Sequence, residues 1–222
     1  MCQDSRKAIV HARDQFRFRL GQENADLGPK GSNPTDIYSL TRSTLAINEP
    51  ILLEHHICRA CEYQSVTTKS EKVVWTCHVD FWKNHPTKLG IHKGKSVMQW
   101  YNALSIQKTT SICPQCGRSM QKIQKYEKAP NIIAFITTDK VVIENQITLP
   151  EIHQMYRLCG IVYYHNQHFV CRFVDQSGGI WYHDGITTKD QVQYCGNTVN
   201  YSAKKLQTSG EYVMSLMIYM TL

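Results

Sequence analysis

Four cysteines in two closely spaced pairs are the first residues of this sequence whose types and spacing could do chemistry. Cys58 and Cys61 form one Cys-x-x-Cys pair, and Cys113 and Cys116 form the other. Each pair offers two thiolates from one tight turn, and two such turns together complete a tetrahedral zinc site. Because four thiolates leave no open position for water, the zinc predicted here is structural rather than catalytic.

Three histidines leave a variant of this metal site open. His55, His56 and His78 lie near enough in the sequence to replace one of the thiolates, since imidazole nitrogen is also a zinc ligand. The alternative to a metal site is four buried thiols without a partner. The doubled Cys-x-x-Cys spacing favours the structural zinc site.

A histidine and an aspartate are the second group that could do chemistry. Apolar and aromatic runs at 158–164, 169–174 and 180–182 are separated by polar and glycine-rich residues, a pattern that predicts three strands joined by turns. His168 begins the second strand and Asp184 follows the third. A histidine and a carboxylate that holds its ring are two thirds of a nucleophilic triad. The alternative is a histidine that only packs against its aromatic neighbours.

The register between the second and third strands decides whether these two side chains can meet. A tight two-residue turn would place Asp184 on the face opposite to His168. A wider loop that pairs Phe173 with Trp181 would place Asp184 opposite Val170, on the face of His168 and diagonal to it. We predict the wider loop.

Composition and charge narrow the class of protein. The chain has 222 residues, of which 42% are hydrophobic and 19% charged, which is typical of a globular protein. The net charge of +7 comes without a long run of like charge, which argues against nucleic acid as a partner. The first residues lack the apolar core of a signal peptide, and the longest apolar run, 212–222, is too short to span a bilayer. We therefore expect no membrane partner and an intracellular protein of the cytoplasm or nucleus.

The number and spacing of the cysteines are consistent with an intracellular protein. Their number is nine, which is odd, and four of them form the two pairs. Reduced thiols and a metal site are therefore a better interpretation than a disulfide framework.

Periodicity predicts the elements that would position these residues. Apolar residues at helical spacing predict an amphipathic helix over 5–20 and a short helix through 37–45. Ser96 is predicted to cap a third helix with a core stripe. Strands are predicted at 51–63, 72–82, 132–137, 140–147 and 212–219, besides the three named above.

Four features in one order resemble the ubiquitin-specific protease family of papain-like cysteine proteases. The two Cys-x-x-Cys pairs are similar to the zinc ribbon at its fingertips. The segment 129–135 is similar to the proline-led strand that follows. The segment 156–162 with His168-Phe169 resembles the family's histidine box, and 181–185 resembles its closing tryptophan-acid motif.

The resemblance implies an α+β fold class, a fragment of the papain-like ubiquitin-specific-protease fold. Its parts would form a single domain over 1–222. They are N-terminal helices at 5–48, zinc-ribbon fingers with one helix at 49–128, and an antiparallel palm carrying the histidine box at 129–222. The implied cofactor is structural Zn²⁺, and the implied partner is ubiquitin or a ubiquitin-like modifier.

The resemblance also implies roles, with His168 as general base and Asp184 as the residue that orients it. The chain departs from the family pattern at three places. Gln167 stands where the family usually has glycine. Asp184-Gly185 stands where the family has an aspartate pair one residue further from the tryptophan. The nucleophile box, an Asn-x-Cys segment at the start of a helix, has no counterpart in this sequence.

Cys2 is the candidate for a missing nucleophile. It lies just before the first predicted helix, and a helix N-terminus lowers the pKa of a thiol. No asparagine precedes it to serve as an oxyanion donor, and the alternative is a frayed terminal residue. The other cysteines have no better claim, because Cys159 and Cys171 lie within apolar strands and Cys77 and Cys195 lack any supporting pattern.

Three functions follow from the sequence. The first is a ubiquitin-specific-protease-like domain that is truncated or inactive because the nucleophilic cysteine box is missing, a thiol-dependent deubiquitinase fold without hydrolysis. The second is a non-enzymatic, zinc-containing module that binds ubiquitin or a related modifier. The third is an active cysteine isopeptidase that uses Cys2 or a cysteine outside this chain. Whether the chain is an enzyme is left open by the sequence.

Overall fold

A computed structural model of the protein describes Gln15, Phe18, Gln22 and residues 37–45, 49–77, 95–137, 141–189 and 191–222. The chain divides into two compact units, Met1–Ala46 and Ile47–Leu222. The single domain over 1–222 stays a prediction.

The first unit contains little described structure. Helix α1 spans Ile37–Thr44, and Gln15, Phe18 and Gln22 are helical and exposed. Thr41 is the only buried residue of α1, and the other residues of this helix are partly or fully exposed. The prediction of N-terminal helices as part of the fold is therefore not supported, and most of 5–20 lies outside the described residues. Among the helices that the structure describes, none is long and apolar enough to cross a bilayer.

The second unit begins with a four-stranded antiparallel sheet, which we call the finger sheet. Its strands are β1 (Leu52–Ile57), β2 (Thr68–Ser70), β4 (Ile106–Ile112) and β5 (Ser119–Tyr126), in the order β2-β1-β5-β4. The cysteine pairs follow β1 and β4, so both pairs lie at the same end of this sheet.

A nine-stranded sheet, which we call the palm sheet, forms the rest of the second unit. Its main path has the order β11-β10-β9-β8-β13-β6-β3, while β7 pairs with β8 and β12 with β13. The strands are β3 (Val74–Cys77), β6 (Ile132–Thr137), β7 (Gln146–Leu149), β8 (Gln154–His165), β9 (His168–Val174), β10 (Gly179–His183), β11 (Gln193–Asn197), β12 (Thr208–Ser209) and β13 (Tyr212–Thr221).

Two helices and a single 3₁₀ turn accompany these sheets in the described part of the second unit. They are α2 (Val97–Ser105), the 3₁₀ turn Thr198–Asn200 and α3 (Ala203–Leu206). The predicted cap of α2 is confirmed, because the Ser96 hydroxyl accepts from the Gln99 N–H and the Gln99 side chain accepts from the Ser96 N–H. This capping box satisfies two donors of the helix terminus.

Several strands differ from their predictions. The strand predicted at 72–82 within the fingers is observed as β3, which pairs in parallel with β6 in the palm sheet, so the palm is not wholly antiparallel. The reason is burial, since β3 carries the fully buried Trp75 into the core. The strand predicted at 140–147 is replaced by β7, and β11 was not predicted because its Gln-Tyr-Cys-Gly-Asn sequence has no apolar alternation.

An aromatic cluster joins the finger sheet to the palm sheet. The Trp75 ring of β3 packs edge-on against Tyr101 of α2 and Tyr126 of β5, at centroid distances of 5.0 and 6.3 Å. Trp75 Nε1 donates to the Tyr126 hydroxyl at 2.9 Å, and that hydroxyl donates to the Lys72 carbonyl at 3.0 Å. Glu151 accepts from the Tyr101 hydroxyl and from the Tyr126 N–H. The indole N–H and both tyrosine hydroxyls of this cluster therefore have partners.

We expect Tyr126→Phe to lower the free energy of unfolding by about 1–3 kcal/mol, because the buried Trp75 N–H loses its acceptor and the Lys72 carbonyl its donor. Urea unfolding followed by tryptophan fluorescence measures this change. Tyr164→Phe is the matched control. The Tyr164 ring is 41% exposed, so its variant should stay within about 0.5 kcal/mol. Equal stability of the two variants would contradict a role for the Trp75–Tyr126 bond in joining the sheets.

Candidate functional site

The four predicted cysteine ligands come together at the tip of the finger sheet. All four Sγ atoms lie within 4.8 Å of one another. The distance from Cys58 Sγ to Cys116 Sγ is 3.4 Å, and that from Cys61 Sγ to Cys113 Sγ is 3.5 Å. Four sulfurs at about 2.3 Å from a central zinc ion would be about 3.8 Å apart. The observed cluster is thus close to the size that a tetrahedral zinc requires.

The backbone of the two cysteine turns is the same. In each turn the carbonyl of the first cysteine accepts from the N–H four residues later, Glu62 to Cys58 at 2.8 Å and Gly117 to Cys113 at 2.9 Å. The φ angles of Glu62 and Gly117 are 59° and 70°. Gly117 adopts this left-handed conformation without strain, whereas Glu62 does so at a cost. Both turns aim their two sulfurs at one point.

The surroundings of the thiols also suit a metal ion. Cys58 and Cys113 are buried against Met120, with Tyr63 packed beside them. The backbone amide of Ala60, followed by that of Cys61, lowers the pKa of Cys58 to about 6, which favours the thiolate that zinc binds. Against the Tyr63 amide, burial and the neighbouring thiols raise the pKa of Cys61 to about 12, because adjacent thiols do not all ionise without a cation between them. The four residues therefore fit a zinc ion. His55 and His56 lie in β1 outside this group of four, and His78 lies outside the described residues.

The hairpin between β8 and β9 places His168 at the start of its strand. His165 pairs with His168 across the hairpin, so the connection is only Asn166 and Gln167. Their φ angles are 45° and 63°, the two left-handed residues of a type I′ turn. His168 lies directly after this turn, and 27% of its side chain is exposed.

The loop between β9 and β10 sets the register that the sequence left open. Phe173 pairs with Trp181, as predicted for the wider loop. The Asp175 carboxylate organises that loop, because Oδ1 accepts from the Ser177 and Gly179 N–H groups at 2.9 and 2.8 Å and Oδ2 accepts from Trp181 Nε1 at 2.8 Å. A Cβ atom at Gly179 would lie 2.5 Å from Asp175 Oδ2. Only glycine leaves room for the carboxylate there.

This register brings His168 and Asp184 together. His168 Nε2 lies 2.8 Å from Asp184 Oδ1, and Asp184 is only 4% exposed. Burial alone would raise the pKa of Asp184, but donors from the Ile186 N–H, the Thr187 hydroxyl and His168 hold that pKa below its ordinary value. An ionised carboxylate only accepts hydrogen bonds. His168 Nε2 must therefore carry a proton toward Asp184, which in a neutral imidazole leaves the lone pair on Nδ1.

Tyr212 provides a second contact to the His168 ring. The Tyr212 ring at the start of β13 packs edge-on against both His165 and His168, with centroids 5.7 and 5.9 Å apart. His165 Nε2 also lies 3.4 Å from Glu211 Oε2 on an exposed side chain. The ring of His168 is thus fixed by Asp184 and by Tyr212 together.

The described cysteines outside the cluster do not offer a nucleophile to His168. Burial raises the pKa of Cys159 and of Cys171. Cys171 lies on the face of β9 opposite to His168, since side chains alternate along a strand. Cys159 Sγ and Cys195 Sγ lie against the carbonyls of Ile218 and Gln193. Cys77 belongs to β3, at the far side of the palm sheet, and Cys2 lies outside the described residues.

Sequence reasoning missed the residues that support Asp184. They are Ile186, whose N–H donates to Oδ1 at 2.9 Å, and Thr187, whose hydroxyl donates to Oδ2 at 2.7 Å. Thr188 closes the same turn. The signal was present, because an aspartate followed directly by glycine is typical of a turn in which the side chain bonds its own backbone, and two threonines follow at 187 and 188. The Tyr212 contact gave no signal, because it joins distant parts of the chain.

No family model and no curated protein matches the sequence. Solved structures do match. A chain from the SAGA DUB module Ubp8/Sgf11/Sus1/Sgf73 bound to monoubiquitin aligns with a TM-score of 0.57 and 12% identity, covering 96% of this chain and 48% of that chain. The same module bound to ubiquitin aldehyde gives a TM-score of 0.55 and 13% identity, covering 96% and 49%. A yeast SAGA DUB module structure gives 0.54 and 12%, covering 85% and 46%.

At this identity the likeness shows the fold alone. The protein has a mostly β fold like that of a ubiquitin-specific protease, with a four-cysteine group that could hold a metal ion. The chain spans about half the length of the chains that it matches.

We expect the purified protein to retain about one zinc ion per chain, as four thiolates bind zinc tightly. Cys113→Ser removes a buried ligand and should lose this zinc and destabilise the finger sheet. Cys195→Ser is the control, since Cys195 lies outside the cluster. Metal analysis by mass spectrometry and thermal unfolding measure both effects. A metal-free wild-type protein with an unchanged fold would rule out structural zinc.

We expect Asp184→Asn to destabilise the protein at neutral pH by about 1–3 kcal/mol. The carboxylate accepts hydrogen bonds on both oxygens, whereas the asparagine NH₂ group would face one of these donors without being able to accept from it. The folded-state pKa of Asp184 lies below its ordinary value. Its contribution is therefore full above the unfolded pKa of about 4 and is lost as the pH falls. Urea unfolding between about pH 7 and about pH 3 should show the two proteins converging. Glu211→Gln, at an exposed acid, should show no such convergence.

Proposed function

We propose that this chain is a ubiquitin-specific-protease-like domain that carries the base and orienting residues of a thiol isopeptidase site, while its described residues do not supply the thiol. The observation that carries the proposal is the contact from His168 Nε2 to Asp184 Oδ1 at 2.8 Å. It leaves His168 Nδ1 free to take a proton. Unless a cysteine is supplied, the domain does not hydrolyse its ligand.

The proposed roles follow from this geometry. A thiol placed beside His168 Nδ1 would transfer its proton to the ring, and the thiolate would attack an isopeptide carbonyl carbon. The resulting imidazolium, held by the Asp184 carboxylate, would return the proton to the leaving lysine amine as the thioester forms. Water would then hydrolyse the thioester with His168 again as base. Asp184 stabilises the charged ring and stays ionised throughout.

The proposed partner is ubiquitin or a ubiquitin-like modifier, and the proposed location is intracellular, in the cytoplasm or nucleus. Support comes from the matching module structures, two of which are bound to monoubiquitin and to ubiquitin aldehyde. The proposed cofactor is structural Zn²⁺ at the four cysteines, whose spacing suits it. There it would tie the two turns of the finger sheet together.

A second candidate function is a non-enzymatic module that binds the modifier. One observation favours it. None of the described cysteines outside the cluster lies against the His168 ring. In this case the His168–Asp184 pair serves only to hold the ends of β9 and β10 together.

A ubiquitin probe with a C-terminal vinyl electrophile tests these candidates. Covalent capture that is lost in Cys2→Ala and kept in Cys195→Ala would show an active isopeptidase using Cys2. Capture that is slowed in His168→Ala would support the base role. Binding of unmodified ubiquitin without capture, measured by calorimetry, would support a binding domain that needs an outside thiol. Neither capture nor binding would overturn the proposed function.

A further inference from the structure

The Asp184 carboxylate has donors on both of its oxygens. Oδ1 accepts from His168 Nε2 at 2.8 Å and from the Ile186 N–H at 2.9 Å. Oδ2 accepts from the Thr187 hydroxyl at 2.7 Å, and the Thr187 backbone N–H is a further donor to the carboxylate. Because the two oxygens exchange places when the carboxylate rotates about its Cβ–Cγ bond, a donor on Oδ2 also determines where Oδ1 points.

The turn that carries Thr187 is closed without the Thr187 hydroxyl. Thr188 N–H donates to the Asp184 carbonyl at 2.9 Å. The Thr188 hydroxyl accepts from the Asp184 N–H at 3.0 Å and donates to the Asp184 carbonyl at 2.8 Å. These three bonds fix the backbone from Asp184 to Thr188. The Thr187 hydroxyl acts instead on the carboxylate itself.

The orientation of this carboxylate determines the proton distribution on His168. The two neutral tautomers of an imidazole are close in energy, and a hydrogen bond at one nitrogen selects between them. With Oδ1 held toward Nε2, the proton stays on Nε2 and the lone pair on Nδ1. Without the Thr187 hydroxyl, the carboxylate would keep its backbone donors but would hold the ring less firmly, and the Nδ1–H tautomer would form more often.

We propose that Thr187 is a positioning residue, whose hydroxyl holds Asp184 Oδ2 so that Oδ1 keeps His168 in the tautomer protonated at Nε2. This role of Thr187 matters for catalysis only under the proposed function, in which the Nδ1 lone pair of His168 takes a proton. The tautomer itself is a property of this chain alone. It requires neither a modifier nor a nucleophile.

Nitrogen-15 NMR of the histidine rings tests the proposal on the full chain, at a pH where the ring is neutral. The wild type should show His168 with Nε2 protonated and with a slowly exchanging Nε2–H proton. Thr187→Val removes the hydroxyl at nearly constant shape and should give averaged tautomer shifts and fast exchange of this proton. Thr187→Ser keeps the hydroxyl and should match the wild type. Thr148→Val, at an exposed strand position, is the control for the substitution itself.

A purely structural Thr187 predicts a different result. In that case Thr187→Val lowers the melting temperature but leaves the His168 nitrogen shifts unchanged, which would overturn the proposal. A change of the same size in Thr187→Ser would overturn it as well, because the hydroxyl is then not the cause. If Thr187→Val does not fold, Thr187→Ala removes the same hydroxyl with less bulk and is read in the same way. An Nε2-protonated His168 that depends on Thr187 would remain even if ubiquitin neither bound nor reacted, so the two proposals fail separately.

Discussion

The candidate site depends on the hydrogen bonds that the Asp175 carboxylate accepts. Its bonds to Ser177, Gly179 and the Trp181 indole shape the loop between β9 and β10, and these donors, the indole first, lower its pKa to about 2. The loop fixes the pairing of Phe173 with Trp181. A slip by one residue would turn every side chain of β10 to the other face, and Asp184 would then point away from His168. The site is thus positioned by a polar loop at the other end of the strands.

The finger sheet and the palm sheet are joined by a buried aromatic cluster with its own hydrogen bonds. The aromatic cluster of Trp75, Tyr101 and Tyr126 takes one ring from each of β3, α2 and β5. Its polar atoms pair among themselves and with Glu151 and the Lys72 carbonyl. Removing one partner leaves another buried group without a hydrogen bond, which is expensive in a dry interior. The orientation of the cysteine tip relative to the palm sheet is therefore maintained by hydrogen bonds as well as by packing.

The sequence carried most of the local information and little of the long-range information. The Cys-x-x-Cys spacing predicted the sulfur cluster, and Ser96 predicted the start of α2, because each depends on residues a few positions apart. The pairing of β3 with β6 was missed since a parallel pair follows from no local pattern. Glu62 could not be foreseen in a left-handed conformation, because its turn is set by the cysteines around it. Thr187 lies close to Asp184 in the sequence, but its contact with the carboxylate could be recognised only from the conformation of the turn that begins at Asp184.

The position of β13 in the palm sheet affects how the sheet forms during translation. It lies between β6 and β8 and pairs with both, yet it follows both of them in the chain. Neither of these strands can complete its hydrogen bonds until β13 has been synthesised, so each presents an open edge during translation. Open apolar edges invite wrong pairing with other chains. The side chains of β6 that become buried, five of them in a row from Ile133 to Thr137, stay exposed along one edge during this interval and favour aggregation.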